Sequence, residues 1–244
     1  MSFEELLKTF KVQPDLERKI WNKDNKLDPK IRKALIDIAQ AFYDSIDLEN
    51  KPPIKDIVFT GSLANYNWSK YSDVDLHLLF DFEQYGEHKE AFENLFLLAK
   101  SNWNNKHDVR VKGYEVEVYA EDEKNPHHST GVYSVMNDKW VVEPKKQTPI
   151  FDPLDVKSKA KYFVDVYKQL VNDLPNETPE ELLDKVENVR EKIRKFRQGG
   201  LETGGEFSTE NIAFKTLRRM GLLDKLAQLK DKLVDRTLSV ETQN

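Results

Sequence analysis

Strand signals in this chain are confined to residues 54–143, and beyond Pro144 only helical spacing recurs. That segregation predicts an α+β protein: a mixed sheet flanked by helices, then a helical C-terminal part. Residues 1–50 read as helical, and the clearest segment starts at Asp28-Pro29 with Ile31, Leu35, Ile38, Ala39 and Phe42 at helical spacing, ending at Lys51-Pro52-Pro53. Residues 54–60 then read as a short apolar strand, Gly61-Ser62 as a turn into a helical stretch, and residues 73–80 as a second strand. A helix over residues 86–103 follows, with Phe92, Leu95, Phe96 and Ala99 as its apolar stripe. Two hairpins are expected next, turning at Lys112-Gly113 and at Asn137-Asp138.

In the helical part, residues 155–174 present Val156, Ala160, Phe163, Val164, Tyr167 and Val171 on one side. Thr178-Pro-Glu-Glu181 is a capping box with proline at the first helical position, and Gly199-Gly200 is expected to end that helix. Ser208-Thr-Glu opens another helical stretch, with a break near Gly221 and a last helix to Leu238. A boundary near residues 145–155 divides the chain into an N-terminal domain over 1–150 and a helical domain over 151–244.

Composition narrows the chemistry. There is no cysteine, which excludes disulfides, thiolate zinc sites and cysteine nucleophiles. The first residues carry neither a basic nor an apolar leader pattern, and no stretch approaches the ~20 apolar residues of a membrane span, so a cytoplasmic protein is expected. The net charge of -5 does not favour nucleic acid over the whole surface, although local basic patches remain possible contacts.

The strand at 73–80 holds the sharpest feature. Its alternation buries Val74, Leu76 and Leu78 and turns Asp73 and Asp75 to the other face, about 6.6 Å apart, where like charges repel. Paired carboxylates on a rigid strand suit Mg²⁺ or Mn²⁺, which take oxygen ligands and leave positions for substrate phosphates. Upstream, Gly61 lets backbone approach a ligand and Ser62 offers a hydroxyl, a combination suited to phosphate.

Gly61-Ser62, ten residues, then Asp73-Val-Asp75 resembles the signature of the DNA polymerase β-like nucleotidyltransferase superfamily. The resemblance covers about residues 54–120. It implies transfer of a nucleoside monophosphate from an NTP to a hydroxyl acceptor (a small molecule, a protein or an RNA end), with pyrophosphate leaving. It further implies a third acidic residue on a later strand, best matched by Glu117 in Val116-Glu-Val-Tyr119, with Glu115 as the alternative. If Lys112-Gly113 is a two-residue turn, Glu115 faces Arg110 and has a structural partner, while Glu117 faces Asp108. The arginine and glycine that many members carry after Gly-Ser are replaced here by Leu63-Ala-Asn-Tyr-Asn-Trp68, so Lys70 or a lysine from the helical half is the candidate for the outer phosphate.

Other candidates have plain structural alternatives. Tyr133 offers a face for a nucleobase or is a core tyrosine, and His77 touches substrate or caps a strand end. His127-His128 has no metal-ligand spacing partner. The basic runs 190–197 and 215–219 meet triphosphate or RNA, or are solvated helix faces. Two further readings stand beside the transferase: a non-catalytic regulatory or antitoxin-like binding protein of the same fold, and a pyrophosphokinase or oligonucleotide synthase.

Overall fold

The structure is a computed structural model and describes residues 3–125 and 129–239. The chain forms two compact units, Lys11–Thr148 and Met1–Phe10 with Pro149–Asn244. Its α-helices are α1 (Phe3–Leu7), α2 (Pro29–Ser45), α3 (Lys89–Lys106), α4 (Pro153–Asp173), α5 (Pro179–Gly204), α6 (Thr209–Arg219) and α7 (Leu222–Leu238). Its strands are β1 (Asp56–Thr60), β2 (Val74–Phe80), β3 (Arg110–Val111), β4 (Tyr114–Asp122), β5 (Val132–Ser134) and β6 (Lys139–Val142). The fold is α+β, as the segregation of strand and helix signals predicts.

In the first unit the six strands form one sheet in the order β3-β4-β2-β1-β5-β6. β2 and β4 run parallel, joined through α3, and the other neighbours are antiparallel. Ile57, Phe59, Leu76, Leu78, Val116 and Val118 share one sheet face and one core with Leu35, Ala39 and Phe42 of α2 and Phe96 of α3. Cross-strand register puts Thr60, Asp75, His77, Glu117 and Tyr119 on the opposite face. One face therefore anchors the sheet and leaves the other for polar chemistry.

Residues 8–28 depart from the helical expectation. Leu16, Ile20, Trp21 and Leu27 are buried singly and not as a stripe. The Asn22 side chain accepts from the backbone N–H groups of Asp24 and Lys26, stabilising a turn closed by the Trp21–Leu27 bridge. Trp21 stacks on Phe59 and Trp140 with ring centroids 5.5 and 4.7 Å away. The helical stretch expected after Gly61-Ser62 is a single 3₁₀ turn, Ser62–Ala64, because Asn65 turns extended and its N–H bonds back to Ser62.

In the second unit Val156, Ala160 and Phe163 of α4, Val186 and Ile193 of α5, Leu217 of α6 and Leu226 of α7 build a separate core, with Phe3, Leu7 and Phe10 packed against it. Asp152 caps α4, and the capping box at Thr178 and Glu181 starts α5 as its spacing predicts. Gly199-Gly200 does not end α5, which continues to Gly204 and stops at Gly205, where φ is +66°. Gly200 is needed for space: a Cβ there would run into the Glu210 side chain and come within 2.8 Å of Ser208 Oγ.

Candidate active site

The alternation of β2 is as the sequence dictates: Val74, Leu76 and Leu78 are buried, while Asp75 and His77 are half-buried on the other face. Asp73 lies one residue before the strand, and in the parallel register Asp75 stands directly beside Glu117 of β4. Asp73, Asp75 and Glu117 each offer a carboxylate oxygen within 4.8 Å of the other two, all three half-buried. Three carboxylates so close repel one another, and a divalent cation relieves that repulsion. The donor set is all oxygen and anionic, the chemistry Mg²⁺ or Mn²⁺ takes.

Glu115, the alternative third acid, pairs with Arg110 across the turn as the two-residue hairpin requires, the carboxylate 3.8 Å from the guanidinium. Asp108 is held by the same arginine at 2.8 Å.

Gly61 makes room for this cluster. It closes β1 with φ +77° and ψ −164°, a region essentially reserved for glycine, and a Cβ would fall inside the Asp75 carboxylate, 2.8 Å from its Cγ. The next residue, Ser62, bonds to Ser72 at 2.7 Å, and Ser72 precedes Asp73, so the turn and the start of β2 are tied together. The turn is in turn fixed to the core by Trp21 Nε1, which donates to the Leu63 carbonyl at 2.7 Å. Lys70 lies exposed on the same loop, its ammonium 5.0 Å from the centroid of the Tyr71 ring.

Tyr133 is a core residue. It is fully buried, lies edge-on to Trp21 and Trp140, and donates its hydroxyl to Asp138 at 2.7 Å. It has no face to offer a nucleobase, because register with Phe59 turns it to the apolar side of the sheet. His127-His128 lies outside the described residues. In the helical unit, Lys195 pairs with Glu191, Lys215 with Glu206, and Arg197 lies over Phe214, so these members of the two basic runs have intramolecular contacts.

Sequence reasoning did not single out Tyr119, although period two places it on the face of Glu117. Its hydroxyl donates to the Glu117 carboxylate, and its ring stacks on His77 at 4.5 Å and 11°. Burial first, then the charges of Asp75 and Glu117, raises the Tyr119 pKa well above the ordinary tyrosine value, so the phenol keeps its proton. His77 bonds to Thr60 at 3.1 Å and has a Glu121 carboxylate oxygen 3.1 Å from its other ring nitrogen, which makes it part of the support behind the acids.

Residues 46–139 match the family described as nucleotidyltransferase domain. No curated protein matches the sequence at a significant level. A solved structure, Elizabethkingia meningoseptica CdnE cyclic dinucleotide synthase with GTP and Apcpp, shares 13% identity over 97% of this chain and 83% of that chain, with a TM-score of 0.28. That likeness is too slight to carry an argument. Among the described residues no helix is long and apolar enough to cross a membrane.

Proposed function

We propose that the protein, whose residues 46–139 match the nucleotidyltransferase domain family, is a polymerase β-like enzyme that transfers a nucleoside monophosphate from an NTP to a hydroxyl acceptor, releasing pyrophosphate. The observation that carries the reading is the gathering of Asp73, Asp75 and Glu117 on one sheet face with Gly61 set against Asp75.

In this reading Asp73 and Asp75 hold divalent cations with the NTP, and Glu117 completes the set on the acceptor side. Bound there, Mg²⁺ or Mn²⁺ neutralises phosphate charge and stabilises the attacking and leaving oxygens of an in-line displacement. The chain supplies placement. β2 and β4 fix Asp75 beside Glu117 through backbone pairing, Gly61 lets the turn approach without a side chain, and Ser62 with Lys70 is assigned to the triphosphate.

The test is incubation with all four NTPs and Mg²⁺, with and without cellular RNA, following pyrophosphate and resolving the products. The expected result is metal-dependent pyrophosphate release that falls about a thousandfold in Asp75→Ala, ~4 kcal/mol of transition-state stabilisation. Unchanged turnover in that variant overturns the assignment. Release of AMP from ATP with a pyrophosphorylated nucleotide, or formation of linked nucleotides, redirects it to a pyrophosphokinase or an oligonucleotide synthase.

A further inference from the structure

The acids of the site stand on a second, tandem pair. Asp75 and Glu117 are register partners across β2 and β4, and the next partners on the same face, two residues along each strand, are His77 and Tyr119. The two rings lie nearly parallel, with centroids 4.5 Å apart. The histidine of this pair bonds to Thr60 of β1 through one ring nitrogen and has a Glu121 carboxylate oxygen of β4 3.1 Å from the other. Lys100 of α3 adds its ammonium 4.3 Å from the Tyr119 ring centroid. The tyrosine ring is therefore held by contacts from β2 and α3, and its hydroxyl ends on a Glu117 carboxylate oxygen.

Glu117 needs such a hold more than the aspartates do. Its side chain is one methylene longer, and repulsion from Asp73 and Asp75 favours any rotamer that takes it away from them. A donor fixed by packing selects the rotamer that faces them. Groups of this kind behind metal-binding carboxylates tune affinity without touching the ion.

We propose that Tyr119 is a positioning residue for the metal site, holding the Glu117 carboxylate in its binding rotamer through the phenol hydroxyl, with the His77 ring as the platform that fixes the phenol. This rests on the reading of Asp73, Asp75 and Glu117 as metal ligands, and its test separates the two.

Binding of Mn²⁺ to the whole protein is followed by electron paramagnetic resonance for wild type, Tyr119→Phe and Tyr133→Phe. Tyr133→Phe is the matched control, because it also removes a phenol bonded to a carboxylate, away from Asp73, Asp75 and Glu117. The expected result is a Kd for Mn²⁺ raised at least tenfold, within the ~10–100-fold range of such substitutions, in Tyr119→Phe only. The Mg²⁺ concentration for half-maximal pyrophosphate release rises in step, while the KM for NTP at saturating Mg²⁺ is unchanged. If Tyr119→Phe fails to fold, wild type labelled with ¹³C at tyrosine Cζ serves instead, with a Tyr119 resonance that shifts on Mg²⁺ addition supporting the proposal and a fixed one overturning it. Wild-type binding with a smaller change in Tyr119→Phe overturns the positioning role alone. No Mn²⁺ binding by wild type overturns the metal-site reading, and the positioning role with it.

Discussion

Replacing Gly61 with alanine attacks the site through one methyl group. Two effects add. The backbone at φ +77° and ψ −164° is tolerated by glycine but costs any other residue about 1–3 kcal/mol. Separately, the new Cβ would occupy the space of the Asp75 carboxylate, 2.8 Å from its Cγ, so Asp75 must rotate away from Asp73 and Glu117. The first effect appears in stability and the second in chemistry. A displaced Asp75 is expected to cost as much as a removed one, about a thousandfold in turnover or ~4 kcal/mol. Gly113→Ala separates the two effects, because Gly113 also has positive φ, +90°, but nothing lies within 4 Å of a Cβ there. Urea denaturation should show both variants destabilised, whereas pyrophosphate release should collapse only in Gly61→Ala. Gly61→Ala with wild-type turnover would refute the claim that this glycine exists to seat Asp75.

Two neighbouring glycines in α5 should respond oppositely to alanine. Gly199→Ala meets open space and should stabilise by about 0.4–1 kcal/mol, whereas Gly200→Ala collides with Glu210 and should cost about 1–3 kcal/mol, both read from urea midpoints. Asp122 is buried, which raises its pKa, but the Lys124 N–H and the Lys89 ammonium at 2.9 Å outweigh this and leave it below the ordinary carboxylate value. Asp122→Asn should therefore lose about 1.5–3 kcal/mol at neutral pH. The gap should close as pH falls through the ordinary carboxylate range to the lowered native value, where wild type loses the same contribution; a gap that persists in acid would contradict it. Trp21→Phe orphans the buried Leu63 carbonyl and should cost about 1–3 kcal/mol from that loss alone, measured by thermal or urea unfolding.

What the sequence made legible was periodic or local. The alternation of residues 73–80 foretold the face that carries Asp75, and the Lys112-Gly113 turn set the register that gives Glu115 to Arg110. Caps at Asp28 and Thr178 announced their helices. Features that depend on contacts distant in sequence were not readable. The Gly200 approach to α6 looks like a helix stop, because a glycine needed for space and one needed for positive φ are the same letter. Tyr133 faces the core only because β1 pairs with β5 in one register. Residues 8–28 carry few apolar side chains, and Leu16, Ile20, Trp21 and Leu27 each find their own place in the core, so no period describes them. Tyr119 was within reach, since Val116-Glu-Val-Tyr119 already puts its ring on the face of Glu117, but the His77 platform beneath it required knowing that β2 and β4 run parallel.

Calorimetric titration with a non-hydrolysable NTP analogue, with and without Mg²⁺, on wild type and on the Asp73→Asn/Asp75→Asn double variant bears most directly on the account. Wild type should bind the analogue only when Mg²⁺ is present, and the double variant should bind it in neither condition while unfolding at the same urea concentration or higher, since like charges have been removed. Binding by wild type that is indifferent to Mg²⁺, or equal binding by the folded double variant, would contradict it.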